Sequence, residues 1–410
     1  MLLRQWSMPW RFWRHTADGS PPMNKESSTQ LRAGYTTGAC AAAAARGAAL
    51  MLRDQYVVDD VSIQLPTGAS ARFLLEGQHF SKTSASCFII KDAGDDPDIT
   101  NGAEVHALVT INTPTLPFEK ESDSLFISGG VGIGKATKPG LAIAPGDWAI
   151  NPVPRPMISE AVRELLPHCR LAVEISIPDG EARAKKTLNA RLGILGGLSI
   201  LGTTGIVQPI SAKAWTDTID TALDVARACG CENVVFSTGR TSELAAQKLF
   251  EVQGSRFRVE NQTTNHEPRT TNCEPLPEEA YIMMGDHVAH ALRSARQRGY
   301  AHPVIACQFA KLVKIACGHQ NTHAAASEME LARLLEWAAA SAFPPVLLAA
   351  IATANTAREI AVLTRFDPAL LALVARKAAL ATQSHAAGVK PVFMVADYTG
   401  RIVFASFPAA

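Results

Sequence analysis

Several short strings in this chain place charged, hydroxyl-bearing or glycine residues at spacings that could do chemistry. In Leu125 to Lys135 (LFISGGVGIGK), Gly129 and Gly134-Lys135 have the spacing of a phosphate-binding loop. The next position fails the pattern: Ala136 stands where Ser or Thr would hold magnesium, and Pro139 blocks the helix that should follow. ATP hydrolysis is therefore not expected. Two readings stay open, a glycine turn between strands and a cluster of backbone N–H groups converging on an anion beside Lys135 and Lys138.

Lys91 to Gly102 (KDAGDDPDITNG) carries Asp92, Asp95, Asp96 and Asp98, without the spacing or closing Glu of a calcium loop. It reads as a solvated turn or as carboxylates, Asp92 and Asp95 foremost, facing a cationic species. Asn151 to Pro156 (NPVPRP) sets Arg155 between prolines, where a stiff extended backbone suits a substrate carboxylate or a structural ion pair. Glycines 193, 196, 197, 202 and 205 follow Asn189 and Arg191 in an apolar setting. They imply close backbone approach to a flat ligand or to another element. Ser237-Thr238-Gly239-Arg240 and Gly285-Asp286 each follow an expected strand, as cofactor turns in open α/β sheets do. Asn321-Thr322-His323, with His319 nearby, gathers polar groups in one turn, for catalysis or as satisfied surface residues.

The elements that must position these strings fall into two rhythms. Thr36 and Thr37 can cap a helix from Gly38 through an alanine run to Leu52. Val61, Ile63 and Leu65 pair with Phe73 and Leu75 as a hairpin, and Cys87–Lys91 and Val105–Ile111 read as further strands. After Gln208-Pro209 the order becomes helix (212–228), strand (234–237), helix (242–252), strand (281–284), helix and strand (304–307), the signature of a parallel sheet under helices. A hairpin closes the chain, Val392–Val395 with Ile402–Ala405. The polar stretch Gln253–Pro277 reads as a surface excursion. The expected fold is thus α+β and α/β: an extension (1–30), an α+β domain (31–210) and a Rossmann-like parallel-sheet domain (211–410).

At 410 residues the chain can bury sizeable cores, and 47% apolar with 19% charged residues excludes bulk disorder. A net charge of +1 supplies no global field for nucleic acid or an anionic membrane. No apolar run reaches the ~18 residues needed to span a bilayer. Eight scattered cysteines show no zinc spacing and suit reduced thiols in a cytoplasmic protein, with no resident metal. Trp6, Trp10 and Trp13 among Arg4, Arg11 and Arg14 read as a loose extension preceding Met23 or as a basic-aromatic anchor.

Taken together, GYTTGACAAAAA (34–45), KDAGDDPDITNG, TKPGLAI (137–143), AINPVPRPMI (149–158), KTLNARLGILGGLSILGTTGI (186–206), MGDHVAHAL (284–292) and the NTH at Asn321 closely resemble the CbiD family. The resemblance implies transfer of a methyl group from S-adenosylmethionine to C-1 of cobalt-precorrin-5B, in corrin-ring biosynthesis, by an α+β domain joined to a Rossmann-like one. Cobalt would travel with the substrate.

On that footing Lys135, Lys138, Arg155 and Arg191 would fringe a polycarboxylated macrocycle, and the Gly193–Gly205 segment would line its face. Thr36, Thr37, Asn189, Asn321 and His323 complete the expected substrate side. Ser237, Thr238, Gly239, Arg240, Gly285 and Asp286 form the expected donor side, and Asp92 or Asp95 would relieve charge on the methylated ring. Two departures stand out: Cys307-Gln308-Phe309-Ala310-Lys311 replaces an expected Gly-His-x-Gly-Lys turn, and Val131 replaces an acidic residue. A tetrapyrrole carrier without activity is the alternative function.

Overall fold

A computed structural model describes residues 31–111, 125–253 and 275–406. The extension 1–30, with its tryptophans, and nearly all of the polar stretch Gln253–Pro277 lie outside these residues.

The first lobe is built on the helix Thr37–Asp54. Ala39 to Ala45 are each at most 1% exposed, so the helix presents methyl groups all round and lies close to its neighbours. A Cβ on Gly47 would stand 2.5 Å from a Leu75 methyl group, which shows how near the layers come. The helix ends where Gln55 turns left-handed at φ 56° and its N–H returns to Met51 O. Beneath it runs a five-stranded sheet in the order Glu76–Phe80, Ser84–Ile90, Glu104–Ile111, Leu171–Ser176, Leu125–Gly129. Its pairs are antiparallel except the last, which is parallel. The hairpin Asp60–Gln64 with Ser70–Leu74 forms as expected, Val61 opposite Phe73.

The second lobe opens at Ser211, whose hydroxyl accepts from Ala214 N at the start of the helix Ala212–Ala228. Four parallel strands and one antiparallel strand follow, in the spatial order Tyr281–Met283, Val235–Ser237, Val304–Gln308, Val392–Ala396, Ile402–Ala405. Both faces are covered, so alternate residues go to different cores. Val235, Tyr281, Val304 and Val392 pack under Ala246 and Phe250 of the helix Arg240–Gln253. Phe236, Ile282, Ile305 and Phe393 meet Leu223, Leu292, Leu312 and Val374 from four helices on the opposite face. Strands buried on both faces read as continuous apolar runs, which is why these were legible in the sequence.

Two local expectations change. The NPVPRP segment is not extended: the helix Pro154–Arg163 begins inside it, because proline in a first helical turn forfeits no hydrogen bond. After the strand Leu125–Gly129 no helix follows Lys135, which lies instead in the short strand Lys135–Ala136, so a nucleotide-hydrolase loop is not built. The Cys307–Lys311 departure leaves the backbone ordinary. None of its residues has positive φ, and Phe309 begins the helix Phe309–Ala316 directly, so the glycines are not needed there.

Candidate active site

The first-lobe strings converge on the amino end of the alanine helix. Thr36 Oγ1 accepts from Ala39 N at 3.2 Å, and Thr37 Oγ1 accepts from Leu201 N at 3.0 Å. Gly38 N donates to Leu201 O and Thr36 N to Gly205 O, each at 3.0 Å. The first amides of the helix are therefore spent on the glycine loop and not left for an anion. Thr36 and Thr37 are 6% and 3% exposed. They fix loop and helix together.

Every carboxylate of the acidic run has a partner. Asp92 takes both arms of Arg32, at 2.5 and 2.8 Å, and Asp95 accepts from Arg32 N at 2.6 Å. Asp96 accepts from Ile210 N at 2.8 Å, which pins the linker between the lobes. Asp98 pairs at 2.7 Å with Lys91, whose side chain is only 1% exposed. The run is thus neither a free turn nor a calcium loop but a clamp on two other segments. Hydrogen bonds from Arg32 and from Gly94 N hold the Asp92 carboxyl below the usual carboxylate range. Removing the ammonium with Lys91→Met should cost about 3 kcal/mol in denaturant unfolding, because Asp98 would keep its half-buried charge with the hydrogen bonds from Thr100 but no counter-ion.

The four expected cations separate into two pairs. Lys135 lies 4.3 Å over the Trp148 ring, and Arg155 donates from Nε to Ile150 O at 3.1 Å. Neither forms an ion pair among the described residues. Lys138 is bound instead to Glu279 of the second lobe at 2.7 Å and to Arg191 O at 3.1 Å. Arg191 reaches Glu243 through Nη1 at 3.1 Å and Tyr281 O through Nη2 at 2.6 Å. Lys138 and Arg191 hold the lobes together and present no uncommitted charge. Asn189 Nδ2 donates to Gly197 O at 3.2 Å, inside the loop it belongs to.

The glycine loop mainly meets other elements. A Cβ would strike Lys138 from Gly193 at 2.4 Å, Gly132 O from Gly197 at 2.1 Å, Thr36 from Gly202 at 2.4 Å and Leu65 from Gly205 at 2.8 Å. Only Gly196 of the five meets nothing within 4 Å. Of the two sequence readings, packing against protein therefore accounts for four. What this region does expose is Lys135, its cross-strand partner Leu195 at 52%, Leu201 at 48% and Val131 at 69%.

In the second lobe, the chain runs from Val235–Ser237 to one neighbour and then crosses to the other, Val304–Gln308. The strand order thus reverses between these two strands, and ligands of open sheets bind beyond the carboxyl ends at such a point. Ser237 to Arg240 lie at that end, Thr238 N donating to Ala306 O at 3.2 Å. Ser237 is fully buried and donates from Oγ to Glu243 Oε2 at 3.3 Å, while Arg240 pairs with the same carboxylate. The turn is open at Gly239, where a Cβ would meet nothing within 4 Å.

Gly285 has φ +56° and backs onto the Trp215 ring, whose Nε1 donates to Met284 O at 3.1 Å. Asp286 bonds Lys311, and Thr322 Oγ1 at 2.6 Å. Burial pushes the Asp286 carboxyl up, yet the bonds from Lys311 and Thr322 outweigh it and leave it below its ordinary value. The adjacent Asn321 Oδ1 accepts from His323 N at 2.8 Å, and exposed His323 accepts from Ala325 N through Nδ1. Asp286 and the Asn321–His323 turn, expected on opposite sides of the site, thus form one cluster.

A partly open cavity between the lobes, lined by Leu188, Arg191, Leu192, Ala222, Tyr281 and Met283 among others, has about 30 Å³, room for a water molecule. Arg155 and Thr238 do not line it.

Comparison with known proteins decides the family. The CbiD family matches residues 24–209, and a CbiD C-terminal domain matches residues 321–407. The cobalt-precorrin-5B C(1)-methyltransferase of Pelobacter propionicus is 70% identical over 390 residues, 94% of this chain and 99% of that protein. The chain belongs to the CbiD family. A cobalt-precorrin-5B C(1)-methyltransferase from Geobacter sulfurreducens is 50% identical over 383 residues, 92% of this chain and 99% of its own. The crystal structure of a cobalamin biosynthesis protein, CbiD, from Archaeoglobus fulgidus is 28% identical, covers 69% of this chain and 78% of that one, and superposes with a TM-score of 0.35.

Within this CbiD protein, reading the sequence missed Arg32, Glu243, Glu279 and Trp148. Glu243 stands in the first turn of its helix, where an acidic residue ordinarily serves a solvent-exposed end. Its only sequence signal was the neighbouring Arg240.

Proposed function

We propose that this chain methylates C-1 of cobalt-precorrin-5B, taking the methyl group from S-adenosylmethionine and giving cobalt-precorrin-6A and S-adenosylhomocysteine. The observation that carries the reading is 70% identity, over nearly the full length of both chains, to a protein named for that reaction. The strand-order reversal at Ser237–Arg240 supports it, since such a crevice suits a nucleoside. Nothing among the described residues favours the carrier reading over it.

The donor fits the turn that is open at Gly239. Ser237, Thr238, Gly239, Arg240, Gly285 and Asp286 would hold it, and its sulfonium supplies a methyl group already activated for transfer. The protein's own share is positioning, which is worth ~7 to 11 kcal/mol when reacting atoms are aligned near contact. The space of about 30 Å³ between the lobes is far smaller than a macrocycle, which favours the open surface of the glycine loops for the ring. There Leu195, Leu201 and Val131 offer apolar area, with Lys135 and Arg155 as cations free to meet its carboxylates. Asn321 and exposed His323 would approach it from the second lobe.

Asp92, held ionised by Arg32 with its pKa lowered, is a weak base, which favours stabilising positive charge on the methylated ring over accepting a proton. Asp95, tied to the same arginine's backbone, would share that task.

Arg155→Ala should weaken macrocycle binding about tenfold, by loss of one charge-assisted contact, and leave S-adenosylhomocysteine binding within about twofold. Parallel calorimetric titrations check this. An equal or greater loss in the nucleoside titration would remove Arg155 from the substrate side. Mass spectrometry of the tetrapyrrole product, showing a single added methyl and its position, tests the function itself.

A further inference from the structure

Glu243 is wholly buried, 0% exposed, and accepts from three donors that belong to different parts of the molecule. Ser237 Oγ reaches Oε2 at 3.3 Å from the end of the first parallel strand. Arg240 bonds Oε1 from the turn itself, its own side chain 59% exposed. Arg191 Nη1 lies 3.2 and 3.1 Å from the two oxygens, and it comes from the first lobe. Arg191 belongs to the loop that carries Asn189 and Gly193, and Gly193 O in turn takes bonds from Thr137 N at 2.7 Å and Thr137 Oγ1 at 2.8 Å. One carboxylate therefore sets both the turn at the strand-order reversal and the glycine loop of the other lobe.

We infer that Glu243 is a positioning residue that couples the methyl-donor turn, through Arg191, to the loops that receive the macrocycle. The inference rests on the donor-and-macrocycle reading given above. A carboxylate buried at the lobe contact with two cations is balanced only while both stay in place. Any ligand that orders the Ser237–Arg240 turn fixes Glu243, and Glu243 then fixes Arg191 and the loop behind it. Each ligand should accordingly bind more tightly when the other is present, and by the same factor, as linkage requires.

The test uses the full chain, with S-adenosylhomocysteine and cobalt-precorrin-5B as probes, each titrated calorimetrically with and without the other. Wild-type protein should show mutual enhancement of about tenfold, within the usual range for coupled sites. Glu243→Gln keeps the shape but removes the charge. It should bring the enhancement to about one while leaving each ligand's solitary affinity within about threefold.

Because a partly buried Arg191 left with only the more distant, exposed Glu278 at 4.0 Å as its counter-charge destabilises the fold, the double variant Glu243→Gln/Arg191→Met is compared alongside. Its thermal midpoint should return toward wild type, while the enhancement stays lost. A merely structural role would restore both together, and that result would overturn the inference. So would undiminished enhancement in Glu243→Gln. If wild type binds both probes without mutual enhancement, yet methylates cobalt-precorrin-5B when given S-adenosylmethionine, the inference falls and the function stands. If it binds neither, both fall.

Discussion

Replacing Asp286 by asparagine should raise the concentration of S-adenosylmethionine needed for half-maximal turnover about thirtyfold, a loss of about 2 kcal/mol. The carboxylate is the anion between Lys311 and the neighbouring Lys314. Lys314 is only 7% exposed and otherwise bonds the carbonyls of Thr322 and Ser327. Burial, and then the charge of Lys311, push Lys314 below the ordinary lysine value, and Asp286 acts against both. The amide would leave two confined ammonium groups facing each other without a counter-charge. Thermal unfolding should record the same defect.

Its pH dependence has a definite sign. The folded-state pKa of Asp286 is depressed, so its contribution is complete above the unfolded carboxylate value and disappears as pH falls through the folded one. The gap in stability between wild type and variant should be flat from about pH 5 to 8 and close below about pH 4. A gap that instead widened on acidification would show that the pair is not what the variant removes.

Gly132→Ala should be the most damaging added methyl among the described glycines. Its Cβ would stand 1.8 Å from Ile177 O, on a residue already at φ +73°. Gly180 and Gly197 press on the same peptide, their own Cβ positions 2.2 and 2.1 Å from Gly132 O. Three backbones meet with no side chain between them, and none can retreat without breaking the bond from Leu198 N to Gly132 O at 2.8 Å. A loss above about 4 kcal/mol, or no folded protein, is expected.

Gly239→Ala supplies the contrast. With no positive φ and nothing within 4 Å of the new atom, it should leave the thermal midpoint within about 2 °C. Affinity for S-adenosylhomocysteine should still fall, because the methyl group projects into the space proposed for the nucleoside. Unchanged affinity would place the donor elsewhere.

How much of this was written in the chain varies with the physics involved. The parallel strands were legible because burial on both faces leaves an unbroken apolar run, and the amphipathic helix Ala212–Ala228 was legible from its periodicity. The hairpin at Val61 and Phe73 followed from simple alternation. Proline misled at Asn151–Pro156, where its fixed φ suits an extended segment and a first helical turn equally well. The glycine loop could not be resolved from sequence at all. A residue without a side chain says that something comes close, and only the fold reveals that at Gly193, Gly197, Gly202 and Gly205 the visitor is protein. Lys138 and Arg191 were visible as cations, but their claimants, Glu279 and Glu243, lie 141 and 52 positions further along.

The bond from Arg191 to Tyr281 O has a consequence for handling the second lobe by itself. Tyr281–Met283 is the outermost strand on its side of the sheet, with Val235–Ser237 as its single neighbour. Outermost strands offer unpaired backbone groups to any passing chain and invite self-association. In the intact protein, a guanidinium from the other lobe occupies one of those groups. A fragment beginning at Ser211 would lose that shield, and light scattering should find it clustering at concentrations where the whole chain stays dispersed.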